Sequence, residues 1–246
     1  MKKTMTAGVA LKKLTLFLPL LLFLFFVHPT AAQTTVTLRP GESIQEANDA
    51  ARSGDVILLA SGTWRDENII IRTSGITLAA APGATPVIDG EYRLPGGNSA
   101  RCDPRSGNCF VYTPLISVRA SDVVIDGLRI YQSRGRGIGI DGAQNVIVRN
   151  CFIENVRSAG LHVNNSSQVT LERCEVTGAG NYATYSRSSS ELDWPVIVNT
   201  IHSSDVTIRF NQVYRNWGEG IAAGRNSERI HIVGNRVHDN YALQIY

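Results

Sequence analysis

The sequence predicts an all-β solenoid, with coils of short parallel strands stacked along one axis, and three observations predict it. A pattern of alternating aliphatic residues recurs about every 23 residues from Ser121 onward, each copy breaks its alternation at one fixed place, and each is preceded by a further short apolar piece. The copies are Val123/Ile125/Leu128/Ile130, Val146/Val148/Cys151/Ile153, Val169/Leu171/Cys174/Val176, Val206/Ile208/Asn211/Val213 and Ile230/Ile232/Asn235/Val237. Alternation with period two marks a strand buried on one face. The three-residue offset at Leu128, Cys151, Cys174, Asn211 and Asn235 marks a bend into a second strand. About seven residues upstream of each copy lie Leu115 to Val118, Gly137 to Ile140, Gly160 to Val163, Val196 to Val198 and Gly220 to Ala223. A unit this short cannot bury its own apolar face and must stack on its neighbours. A leucine-rich repeat needs a Leu-x-x-Leu-x-Leu-x-x-Asn run, which is not visible. Three strands and three turns per coil, with coils about 4.8 Å apart, describe a right-handed parallel β-helix.

This repeat resembles the pectate-lyase-like superfamily of right-handed β-helix proteins. The likeness covers nearly all of residues 36–246 and is clearest over 115–246. It extends upstream, where Gly41 to Ala47 is similar to the short amphipathic helix that caps many such proteins. Ile44, Ala47 and Ala51 fall on one face of that helix. Gly54 to Leu59 and Gly62-Thr63-Trp64 match opening strands, and Ser74 to Leu78 with Pro86 to Gly90 match an early coil. Such a resemblance implies fold more than activity.

Residues 1–32 carry Lys2, Lys3, Lys12 and Lys13, an apolar run from Leu14 to Val27, and Thr30-Ala31-Ala32. That is the order of a secretory signal peptide, with cleavage expected after Ala32. The run is short of the roughly 20 residues a membrane span needs, so no span is expected in the mature chain. Cleavage removes every lysine, and the formal net charge falls from +3 to −1, because four positive charges leave. Nucleic acid is therefore not an expected partner. A secreted or cell-surface monomer is expected.

Of the four cysteines, Cys102 and Cys109 bracket a polar loop, and export makes a local disulfide between them the expectation. Cys151 and Cys174 share one repeat position and are expected as buried free thiols. At the other end, Leu243 to Tyr246 reads as the first strand of another coil. A solenoid stopping there would expose strand edges, so further C-terminal coils and a fragment of a longer protein are expected.

Insertions are informative because a solenoid tolerates extra residues only at its turns. The turn from the third strand of one coil to the first of the next swells twice, at residues 91–114 and 177–195. The same edge collects Tyr92, Tyr112, Tyr131, Tyr182, Tyr185, Tyr214, Tyr241, Trp194 and Trp217, together with Arg93, Arg101, Arg105, Arg134, Arg136, Arg157, Arg187 and Arg215. Guanidinium forks pair with carboxylates or sulfates, and aromatic faces pack on sugar rings. An acidic polysaccharide fits that chemistry, with Tyr131, Arg157, Tyr182, Tyr185, Trp194 and Trp217 as candidate substrate-binding residues.

Strand alternation turns Ser117, Gly139, His162 and Ala222 outward on the first sheet, followed by Arg119, Asp141, Asn164 and Gly224. The register of Val196 to Asn199 stays open. Two other sets read as structural. Asp126, Arg149, Glu172 and Arg209 form an exposed charge ladder worth about 0.2–1 kcal/mol per pair, and Asn211 with Asn235 forms a buried ladder that satisfies turn backbone.

For members acting on polyuronates the resemblance implies β-elimination. The uronate carboxylate is neutralised by Ca²⁺ or positive side chains, and a base removes the C5 proton. Arg119, Arg134, Arg136 and Arg157 are the candidates for that base, since no lysine remains. Such an arginine needs a strongly depressed pKa. Asp141 and His162 complete the candidate catalytic set, with Asp141 a ligand for Ca²⁺. The Asn-Thr-Asp, Asp-Asp, Gly-His-Gly and Arg-Ile-Lys motifs of polygalacturonases are absent, as is a facing carboxylate pair on the floor, so elimination is favoured over hydrolysis. The other reading is a non-catalytic, adhesin-like surface solenoid.

Overall fold

The computed structural model describes residues 33–65, 68–93, 100–102, 109–111, 113–180 and 196–245. The signal peptide expected over residues 1–32 lies outside the described residues. Nearly all regular structure is parallel strand, in sheets of six, eight and seven strands that the chain visits in rotation. The first sheet stacks Ile69–Ile71, Pro114–Val118, Arg136–Asp141, Leu161–Asn164, Val196–Ile201 and Glu219–Gly224. Sheet two runs from Thr35–Leu38 to Glu228–Val233, and sheet three from Gly62–Arg65 to Arg236–His238. This is the three-strand coil that the repeat predicts.

Register follows the repeat residue by residue. Ile125 pairs with Val148, Val148 with Leu171, and Leu171 with Ile208 in the second sheet. In the third, Ile130, Ile153, Val176 and Val213 follow one another in register. All of these side chains are fully buried, in one continuous core running from Leu38 to Ile221. Fully burying each contributes about 1.5–3 kcal/mol, and a one-residue slip would turn them all outward. Val196 to Asn199, ambiguous in sequence, pairs Val198 with Leu161 and Asn199 with His162.

The opening helix, Ile44–Ala50, is capped by Ser43, whose hydroxyl accepts from the Glu46 amide at 3.2 Å. Ile44 is fully buried, and Ala47 and Ala51 pack against the core. Asn48 and Gln45 fasten the helix to Ile70, the first with Nδ2 on its carbonyl at 2.9 Å and the second accepting from its amide at 2.7 Å. A strand not anticipated from sequence, Thr35–Leu38, precedes this helix and pairs with Val56–Leu59. Only Leu38 of its four residues is buried, so no alternation of core residues betrays it.

Polar ladders run up all three bends. Between sheets two and three, the Cys174 amide donates to Asn211 Oδ1 at 2.8 Å, and the Asn211 amide to Asn235 Oδ1 at 2.9 Å. Cys151 and Cys174 are buried free thiols at the same bend. Between sheets three and one, Asn216 takes the Ala179 amide at 2.8 Å and donates to the Val176 carbonyl at 3.1 Å, and Asn240 receives the Asn216 amide at 3.2 Å. Between sheets one and two, the Ala143 amide donates to Ser166 Oγ at 3.2 Å and the Ser166 amide to Ser203 Oγ at 3.1 Å. Each side chain satisfies backbone groups that a tight bend strips from the sheets.

One structural expectation is corrected. Asp126, Arg149, Glu172 and Arg209 do stack in register, with Arg149 Nε 2.8 Å from Asp126 Oδ2 and Arg209 Nε 2.7 Å from Glu172 Oε2. The Glu172 side chain, however, is only 7% exposed and also meets Arg173 at 3.1 Å. It is a buried carboxylate held by two guanidinium groups, not an exposed rung.

Candidate functional site

Backbone hydrogen bonds place the edge between the third and first sheets in register. The Arg157 amide donates to Ser133, that of Trp217 to Ala179 and that of Tyr241 to Asn216. Because a parallel partner lies one residue beyond such an acceptor, Arg134, Arg157, Gly180, Trp217 and Tyr241 occupy one position on successive coils. The stretch expected as a wall is therefore a column, basic at one end and aromatic at the other. Trp217 and Tyr241 are 55% and 69% exposed, with ring centroids 6.3 Å apart.

At the basic end, the Arg157 guanidinium lies 4.8 Å from the centroid of the Tyr92 ring. Burial, with the neighbouring Tyr131, Glu154 and Asp89, raises the Tyr92 hydroxyl above its ordinary pKa, against the pull of Arg157. Tyr131 sits one register step below Glu154 on the third sheet and is half-buried. Arg134 in the turn and Arg136 at the start of its first-sheet strand are half-buried, and Ser133 Oγ donates to the Arg136 carbonyl at 2.7 Å. The candidates Tyr182, Tyr185 and Trp194 lie outside the described residues, as does the greater part of both insertions.

Further up the third sheet, Tyr214, placed on this edge from the sequence, has a ring partner that sequence reading missed. Tyr214 stacks on His238 with centroids 5.4 Å apart, its hydroxyl donates to Glu175 Oε1 at 2.5 Å, and His238 Nδ1 is 2.9 Å from Asp239 Oδ2. The equal spacing of Tyr214 and His238 within their repeats is the signal that would have found it.

On the first sheet, Ser117, Gly139, His162, Asn199 and Ala222 form one outward row, as strand alternation requires. This floor is not open. Ser117, His162 and Ala222 are each 4% exposed. Pro114, where the first insertion rejoins the sheet, lies over Gly139 so closely that a Cβ there would stand 2.4 Å from its ring. Strand alternation assigns a face; it does not report what the turns fold over that face. Arg119 and Asp141 stay exposed at the row's far side, Arg119 Nε donating to Ser117 Oγ at 3.3 Å and Asp141 Oδ1 accepting from Asn164 at 2.7 Å.

His162 is the unusual member. Burial, and behind it the charge of Arg136, pushes its imidazole down to about 3, so it is neutral at physiological pH. Its Nδ1 is buried without a hydrogen-bond partner. A neutral imidazole of this kind donates or accepts a hydrogen bond but is a feeble base.

Among the described residues, no group of three or more His, Cys, Asp or Glu side chains is placed to hold a metal ion. No helix there is long and apolar enough to cross a membrane. The backbones of Cys102 and Cys109 stand directly opposite each other in a short antiparallel pair. On the edge between sheets one and two lies a shallow polar groove of about 370 Å³, lined by Gly142, Gln144, Asn165, His202, Asn226 and Glu228 among others.

Comparisons with known proteins follow this geometry. The chain superposes on a candidate glycosyl hydrolase from Parabacteroides merdae with a TM-score of 0.54 and 12% identity, over 77% of this chain and 86% of that one. It also resembles a pectin methylesterase solved with a hexasaccharide (TM-score 0.41, 10% identity, 83% and 81% covered) and an alginate lyase from Paenibacillus sp. str. FPU-7 (0.39, 17%, 87% and 97%). No curated protein matches by sequence. The model of the right handed beta helix region matches residues 108–246. With that match over more than half its length, and three rotating parallel sheets to embody it, the chain belongs to the right-handed β-helix family.

Proposed function

We propose that this protein is exported and binds an acidic polysaccharide along the edge between its third and first sheets. The observation that carries the reading is the column of Arg134, Arg157, Trp217 and Tyr241, one residue per coil except at Gly180. Successive rungs about 4.8 Å apart suit an extended polymer laid along the axis, with guanidinium groups for its carboxylates and aromatic faces for its rings.

Where chemistry accompanies binding, β-elimination suits the described residues better than hydrolysis. Arginines crowd the edge, and Asp141 and Glu219 stand at opposite ends of first-sheet strands from different coils rather than as a facing pair. Arg119, Arg134 and Arg136 remain the proposed charge-neutralising and proton-abstracting groups, Asp141 the proposed partner of any Ca²⁺, and the two insertions the walls of the cleft.

The test is a panel of pectate, alginate, chondroitin and heparin, with and without Ca²⁺, scored for retention and for ultraviolet absorbance of unsaturated products. Retention without absorbance supports the non-catalytic solenoid. No retention on any acidic glycan overturns the reading, and retention that survives Arg134→Ala with Arg157→Ala moves it to another edge.

A further inference from the structure

The column along the edge between the third and first sheets changes character along its length. Its register sets Arg134, Arg157, Gly180, Trp217 and Tyr241 on successive rungs, so the guanidinium groups and the exposed aromatic rings lie at opposite ends, with no side chain between them. At about 4.8 Å per rung the column runs for about 19 Å. The residue two places further along the chain repeats the division. Arg136 opens its first-sheet strand beside Arg134, and Glu219 opens its own beside Trp217. Register pairs Ile138 with Leu161, Leu161 with Val198 and Val196 with Glu219, which puts Glu219 three rungs above Arg136 in one row.

Charge follows the same division. At the basic end Asp89 and Glu91 pair with Arg65, and Arg93 with Glu91, which leaves Glu154 outweighed by Arg134, Arg136 and Arg157. Arg134 meets no ion-pair partner among the described residues, and Arg157 keeps its charge over the Tyr92 ring. At the aromatic end Glu219 is half-buried and also meets no ion-pair partner among the described residues. Burial raises its carboxyl above the ordinary pKa. On the opposite flank Arg215 lies 5.9 Å from the centroid of the Tyr214 ring and directly below Asp239 in register, and their formal charges cancel.

A ligand carboxylate at the basic end gains guanidinium partners. One laid against Trp217 and Tyr241 gains none, and it meets the Glu219 charge in a setting that already disfavours charge. An uncharged sugar ring there keeps its packing on the aromatic faces without that repulsion. We propose that this edge selects a polarised stretch of glycan, with carboxylates on the units over Arg134 and Arg157 and uncharged units over Trp217 and Tyr241, Glu219 being the residue that rejects a carboxylate at the aromatic end. This rests on the reading of an acidic polysaccharide ligand and narrows it: a chain that mixes acidic with uncharged or esterified units is preferred over a uniform polyuronate.

The experiment titrates the exported protein at low salt, by calorimetry, with four galacturonate tetramers: fully acidic, fully methyl-esterified, and esterified only on the two units at one end or at the other. The expected result is that one half-esterified tetramer binds about threefold or more tighter than the fully acidic one and about tenfold tighter than the fully esterified one, with the opposite half-ester weaker than its isomer. Glu219→Gln tightens the fully acidic tetramer about threefold and closes that gap. Arg134→Ala weakens the preferred half-ester about tenfold and the fully esterified tetramer by less than about twofold. A fully acidic tetramer that binds wild type as tightly as either half-ester, or a preference unchanged in Glu219→Gln, overturns the inference and leaves the binding edge standing. Should Arg134→Ala fail to fold, the wild-type ranking and Glu219→Gln decide. Binding of none of the four tetramers overturns the inference, and failure of the whole glycan panel overturns the wider reading with it.

Discussion

Arg157 reaches past an intervening coil to lay its guanidinium 4.8 Å from the centre of the Tyr92 ring, tying the start of the first insertion to a turn two coils away. A cation over an aromatic face contributes about 0.5–1 kcal/mol where partly exposed. Arg157→Ala is expected to lower stability by that amount in chemical denaturation. It should also elute from a pectate column at lower salt than wild type, whereas Arg157→Lys keeps part of both effects.

Glu172 tests the correction to the charge ladder. Its carboxylate is buried against Arg209 and Arg173, so Arg209→Ala, which strips its strongest partner, should cost about 3 kcal/mol. Arg229→Ala breaks the fully exposed pair with Asp205 and should change the denaturation midpoint far less. Equal effects would return Glu172 to the status of a surface charge.

The bend ladders are expected to hold the stack together. Asn216→Ala orphans the Ala179 amide and the Val176 carbonyl in the interior, at a cost of about 2 kcal/mol or more. Hydrogen exchange at Ala179 should accelerate before that of amides at other bends.

His162 gives stability a pH signature. The unfolded imidazole takes up its proton near pH 6.5 and the native one only near 3. As pH falls through that window the unfolded state alone gains a proton, so stability declines, by a total on the order of 5 kcal/mol. Asp205 acts lower, its carboxyl held down to about 2 by Arg229, so its contribution is complete above the ordinary carboxylate range and is lost as pH falls through 2. A His162→Asn variant should therefore show a flatter stability profile between pH 6.5 and 4, measured by urea denaturation.

Gly139 reports on the cover over the first sheet. Gly139→Val collides with the Pro114 ring and should destabilise by about 1–3 kcal/mol. Adding Pro114→Ala should restore part of the loss; if it restores none, Pro114 is not what closes this face.

Much of the architecture was legible in the residues because a solenoid is nearly one-dimensional: each coil meets only its neighbours, so a repeat in sequence is a register in space. Ile125, Val148, Leu171 and Ile208 could be placed by counting, and so could the outward position of His162. The first strand could not, because a single buried leucine carries no period. Nor could the Asn216 and Asn240 ladder, whose position holds Ser133, Val156 and Ala179 in earlier coils and so shows no constant chemistry.

What the sequence by itself determined is the right-handed β-helix, its pitch, and which edge bears the insertions and the arginine and aromatic column, all consequences of periodic burial. Only the tertiary structure decided that Glu172 is enclosed by two guanidinium groups, that Tyr92 meets Arg157 across a coil, and that the row holding His162 is covered. Those depend on where side chains and turns travel after leaving the repeat, and periodicity fixes the direction in which a residue points but not what comes to meet it.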